Sequence, residues 1–162
     1  MSKPNATAIA CAITVTLSGI LFFLAYLFTF TYRGAGHGIS GNGNPGLLFV
    51  IPAVPIYLLT LIFTYLFVRS RMVDARIAQW IKVGLLLLAL LCGAGEYGAV
   101  SGLLRHLGGG PGNPDSVIYH FGWLNQYTNK MYFNAYTFMI GLSLSAWTAL
   151  MVQRRGRGET AG

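Results

Sequence analysis

An all-α bundle of four membrane-spanning helices is the fold class this sequence predicts, and three observations predict it. The 162 residues are 54% hydrophobic and only 9% charged, whereas a soluble domain carries about a quarter charged residues. Apolar runs recur at the length, roughly 20 residues, that crosses ~30 Å of hydrocarbon. Basic residues flank these runs and avoid their middles, as the orientation of a membrane protein requires. The chain reads as one membrane domain over 1–162, with little outside the bilayer.

Span one covers about 6–31. Only Lys3 precedes it as a charge, and its apolar region is too long for the h-region of a signal peptide. No small-x-small cleavage site follows, so an uncleaved signal anchor is expected. Thr7, Cys11, Thr14 and Ser18 recur at spacings of four, three and four, which puts them on one helical face. In lipid such a face meets another helix. The first loop, RGAGHGISGNGNPG, has six glycines in 14 residues and cannot be a long helix or strand. A phosphate-loop reading fails, because no strand precedes it and it lies between spans.

Span two covers about 47–68 and contains Pro52 and Pro55. Pro52 lies near the first turn, whereas Pro55 should free the carbonyl of Ile51 and bend the helix. The second loop holds Arg69, Arg71, Arg76 and Lys82 against Asp74, with Trp80 as an interfacial anchor. Span three covers about 81–104. Ala94, Gly98 and Gly102 recur every four residues, as do Gly95 and Ala99, a small-residue pattern that favours tight packing. The third loop is the largest exposed piece. Val117, Phe121 and Leu124 share a helical face within it, which predicts an amphipathic helix over 116–128 lying in the interface. Span four covers about 132–152. Its Asn134, Thr137, Gly141, Ser145 and Thr148 form a second small-polar stripe, expected to pack against span one or span three.

Orientation follows from counting. Lys3, Arg69, Arg71, Arg76, Lys82, Arg154, Arg155 and Arg157 fall on one side, and Arg33, Arg105 and Lys130 on the other. The richer side is the cytoplasm, so both termini are expected inside, in a bacterial inner membrane. The net charge of +7 is accounted for by these flanks, and the Arg154–Arg157 tail can also touch anionic lipid. Nucleic acid is not an expected partner, since no soluble module remains to bind it. One internal correspondence is that His37 precedes Gly43-Asn44-Pro45 as His106 precedes Gly112-Asn113-Pro114, as a duplicated hairpin would give. The spans, however, show little matching identity, the two loops differ in length, and glycine-rich loops produce GNP easily.

Glu96 is the residue on which chemistry can rest. It lies roughly eight residues, ~12 Å, below the far end of span three, where a bare carboxylate is costly and must be neutralised, paired or hydrated. Thr137, Tyr136 and Tyr57 lie at a similar depth and are the expected partners. His37, His106, His120 and Asp115 all fall on the outward side and are ligand types for zinc or copper. None of them shows the i, i+4 spacing of a helical metal site, and no metal or other cofactor is expected. Cys11 and Cys92 form no CxxC motif. HExxH, GxSxG and paired carboxylates on one helix are all missing, so an enzyme is not expected.

Two functions then remain. One is a small inner-membrane protein acting through protein–protein interaction, as an accessory subunit, regulator or immunity/exclusion-type protein, with a membrane-protein partner or a second copy of itself. The other is a small oligomeric proton- or cation-coupled transporter or channel subunit that uses Glu96. The length and four-span layout resemble several unrelated groups, the immunity proteins against pore-forming colicins among them. A shared layout carries fold rather than function.

Overall fold

A computed structural model of the chain describes residues 6–34 and 43–158, with side chains as far as Gln153. Six helices follow one another: α1 (Ala6–Leu27), α2 (Leu47–Arg69), α3 (Ala75–His106), α4 (Val117–Phe121), α5 (Asn129–Tyr132) and α6 (Ala135–Gly158). Four stretches are long and apolar enough to cross a membrane: α1, α2, α3 and the segment Asn129–Gln153. They suggest a multi-pass membrane protein.

The long helices stand in the order α1, α2, α6, α3, each packed on the next. The contacts give the directions. Cys11 meets Thr64, Ser18 meets Thr60, and Phe28 meets Phe49, so α1 and α2 are antiparallel. Tyr57 meets Thr137 and Ser145 meets Leu61, while Gln153 bonds the carbonyl of Arg71, so α2 and α6 run in the same direction. The described loop segments 28–34, 43–46 and 107–134 therefore lie at one end, and the short α2–α3 turn lies at the other.

The stripe on α1 does face a helix. The Ser18 and Thr60 hydroxyls are fully buried and 2.7 Å apart, and Thr60 also donates to the carbonyl of Ile56. A hydroxyl pair of this kind satisfies both groups where no water reaches. The stripe on α6 divides its contacts. Asn134 reaches α3, but Gly141 and Ser145 face α2. Span one is not the neighbour of that stripe. The Tyr57 hydroxyl needs the space over Gly141, which draws α2 into the groove that span one or span three was expected to fill.

Several element ends differ from the sequence reading. Helix α1 stops at Leu27, four residues early, because Phe30 donates its N–H to the carbonyl of Gln126 in the other loop. Helix α3 begins at Ala75, before the apolar run, because Asp74 caps it by accepting from Arg76 and Ile77 N–H groups at 2.8 and 3.4 Å. Helix α2 runs unbroken through Pro52 and Pro55. The expected interfacial helix over 116–128 is only α4, five residues long. Gly122, at φ +74°, ends it, in a left-handed region that suits glycine.

The third loop is also far less exposed than expected. Leu107, Val117, Ile118 and Tyr127 are buried together, with Tyr32, Leu103 and Leu104 packed against them. Ser116, Asn125, Thr128 and Asn129 are buried as well, and each is hydrogen-bonded. Ser116 donates to the carbonyl of Gly110 at 2.8 Å and accepts from the N–H of Tyr119. Asn125 donates to the carbonyl of Gly122 at 2.7 Å, and Thr128 donates to that of Trp123. The segment is a folded cap over one end of the bundle.

Candidate functional site

The apolar walls around Glu96 come from α3 and α6, which cross near Gly95. A side chain at Gly95 would collide with the ring of Tyr136, so the glycine is what allows this close approach. Asn134 stands just before α6 and caps it. Its carbonyl oxygen accepts from the N–H groups of Tyr136 at 2.8 Å and Thr137 at 3.1 Å, which satisfies two of the donors a helix start leaves open. That cap fixes the other end of the same amide. The Asn134 Nδ2 donates to Glu96 Oε2 at 2.8 Å and to the carbonyl of Lys130 at 2.9 Å.

Glu96 is half-buried and is held by this amide. None of its three expected partners supplies the bond. The Tyr57 hydroxyl donates to the carbonyls of Thr137 and Phe138 at 3.0 and 2.9 Å. The Thr137 hydroxyl donates to the carbonyl of Tyr132 at 2.8 Å. Tyr136 contributes its ring beside Gly95. Depth alone does not select the partner: Asn134 and Tyr136 at the start of α6 both reach α3, and it is the Asn134 amide that meets the carboxylate. The sequence did hold a signal: an Asn three residues before a Thr, at the head of an apolar run, reads as an N-cap.

The outward candidates separate. His106 donates from Nε2 to the carbonyl of Tyr32 at 2.7 Å, and its ring meets that of Tyr32 edge-on. His120 lies edge-on to Tyr119. Asp115 accepts no side-chain bond there; its backbone N–H donates to Asn113 Oδ1 at 3.2 Å. Among the described residues no three of His, Cys, Asp or Glu gather as metal ligands. His37 lies outside the described residues, as does the part of the duplicated motif that contains it. The two Asn-Pro turns behave differently. Asn44 exchanges two hydrogen bonds with Asn129, at 2.9 and 2.7 Å, whereas Asn113 closes its own loop onto the carbonyl of Gly108.

Two adjoining hollows lie beside α1, the first between α1 and α3, which are not packed against each other, and the second between α1 and α6. The first, of about 410 Å³, is lined by Tyr26, Gly98, Gly102, His106, Lys130 and Asn134 among others. The second, of about 480 Å³, is lined by Gly19, Phe22, Phe23 and Phe138 and shares Tyr26, Asn134 and Tyr136 with the first. Comparison with protein-family models, curated proteins and solved structures finds no match.

Proposed function

We propose that this chain is a small four-span protein of the bacterial inner membrane, with both termini in the cytoplasm, that acts by holding another membrane protein. It would serve as an accessory subunit, a regulator or an immunity/exclusion-type protein, and the partner can be a second copy. The observation that carries this reading is the bare face of α3. This helix stands at the end of the row, with α6 as its long neighbour. Ile77, Trp80, Gly84, Leu87, Leu91, Ala94 and Gly98 follow at alternating spacings of three and four, and all are exposed. That is the spacing of a helix–helix seam. A side chain added at Gly84 or Gly98 would meet nothing within 4 Å. Large and small residues on such a face let a second helix approach closely. The charge count supports the orientation.

The second reading, a small oligomeric proton- or cation-coupled transporter or channel subunit, draws on Glu96. Its hydrogen bond comes from a neutral amide, and an intramembrane carboxylate without a cation beside it is a group able to bind one. One experiment separates the two. The protein is purified from its host membrane in mild detergent and weighed intact by mass spectrometry. A stoichiometric second protein, or a dimer, is expected, and should be lost in Leu91→Ala or Ala94→Trp but kept in Glu96→Gln. A lone monomer, or full retention in both face variants, would overturn the interaction reading. Proton or cation flux in vesicles that vanishes with Glu96→Gln would establish the second one.

A further inference from the structure

The hollow beside α1 has a direction. Its shallow part lies at the loop end, where Lys130 and His106 line it. Its deeper part is aromatic and apolar, walled by Phe22, Phe23 and Phe138. From Tyr26 to Gly19 is seven residues of α1, roughly 10 Å of depth. The hollow is roofed where His106 bonds the carbonyl of Tyr32, and its back wall is the α5–α6 junction. It is open on the side where α1 and α3 are not packed against each other, and in a membrane that side would face lipid.

Lys130 is set in place by its neighbours. Asn129 and Met131 on either side are buried, and the Lys130 carbonyl is bonded by Asn134. None of the described acids forms an ion pair with its ammonium: Asp74 caps α3 at the opposite end, the Glu96 carboxylate takes its hydrogen bond from Asn134 and not from Lys130, and Asp115 lies in the α3–α4 loop. Arg33 and Arg105 add two more positive charges at the loop end. The charge at this mouth is therefore complementary to an anion. The apolar depth behind it suits a hydrocarbon chain, and polar groups few and placed at one end of an apolar cleft are typical of ligand sites.

We propose that this groove binds one anionic phospholipid of the loop-side leaflet, with its phosphate at Lys130 and an acyl chain laid along Tyr26, Phe22 and Phe23. Gly98 and Gly102 leave the groove open, since a side chain at either would meet no other group within 4 Å. The α3 seam of the interaction reading meets the groove at Gly98 and runs from there toward Ile77, away from Lys130, so the lipid would fill the gap beside α1 within the chain itself.

The test is native mass spectrometry of protein released from discs containing equal parts phosphatidylglycerol and phosphatidylcholine. Wild type should retain one phosphatidylglycerol in roughly fivefold preference, the worth of one lysine against an anionic lipid surface. Lys130→Gln should lose that preference, while Arg33→Gln, a cation at the same end outside the groove, should keep it. Gly102→Phe should reduce retention of both lipids by filling the groove. Unchanged preference in Lys130→Gln would overturn the proposal, as would equal loss in Arg33→Gln, which would indicate surface charge alone. Where Gly102→Phe disturbs the helical circular dichroism, the Lys130 and Arg33 pair decides.

Discussion

A single hydroxyl shows how much a glycine can decide. The Tyr57 O–H on α2 reaches two carbonyls of α6, and its ring packs among Phe22 and Phe138 with centroids at 4.8 and 5.6 Å. It fits because Gly141 has no side chain; a Cβ there would fall on the hydroxyl and come within 3.1 Å of Leu61. Gly141→Ala should therefore destabilise the bundle by about 1–3 kcal/mol, the usual cost of overpacking. In a Tyr57→Phe background the same change should cost less, because the worst-colliding atom is gone while the ring Cζ, 2.8 Å from the added Cβ, remains. Unfolding in mixed micelles measures both, and equal costs would place the strain elsewhere. The small residues of span four were legible as a stripe. Which tyrosine used them was not, since several lie at one depth.

At the scale of elements, the two loops form one piece. Asn129 is fully buried and exchanges both of its amide hydrogen bonds with Asn44, while Gly46 lies close enough that a side chain there would strike the Asn129 amide. Asn129→Ala would leave the Asn44 Nδ2 without its acceptor and its Oδ1 with only the Gly46 N–H, at a cost of about 1–3 kcal/mol. Faster amide exchange is expected at Phe30 and across 125–131, where the loops meet, while the middles of α2 and α6 stay protected. Exchange that rises evenly over the whole chain would show that the pair does not tie the loops locally. None of this was readable from composition. Val117, Phe121 and Leu124 have helical spacing, yet Phe121 and Leu124 are exposed and Val117 is buried, because Gly122 ends α4 before the face can form.

At the scale of the whole molecule, direction and order matter most. The row of α1, α2, α6 and α3 leaves α1 and α3 apart, and both the lateral groove and the bare seam of α3 follow from that. Orientation can be tested directly. In a Cys11→Ala, Cys92→Ala background, Gly112→Cys at the loop end should react with a membrane-impermeant maleimide added to intact spheroplasts. Ser70→Cys at the opposite end should react only after lysis. The reverse pattern would invert the orientation inferred from the basic residues.

The sequence by itself determined the helical class, the four apolar stretches, the stripe on α1 and the isolation of Glu96. These follow from local hydropathy and helical spacing, because in lipid each spanning segment must satisfy its own backbone. Only the tertiary structure decided that Asn134 holds Glu96, that α2 takes the groove of α6 at Gly141 and Ser145, and that the third loop is a folded cap. Those choices rest on which helices are neighbours and in which direction each points. Residues far apart in the chain settle such choices through a few buried hydrogen bonds and glycine contacts, and no local pattern records them.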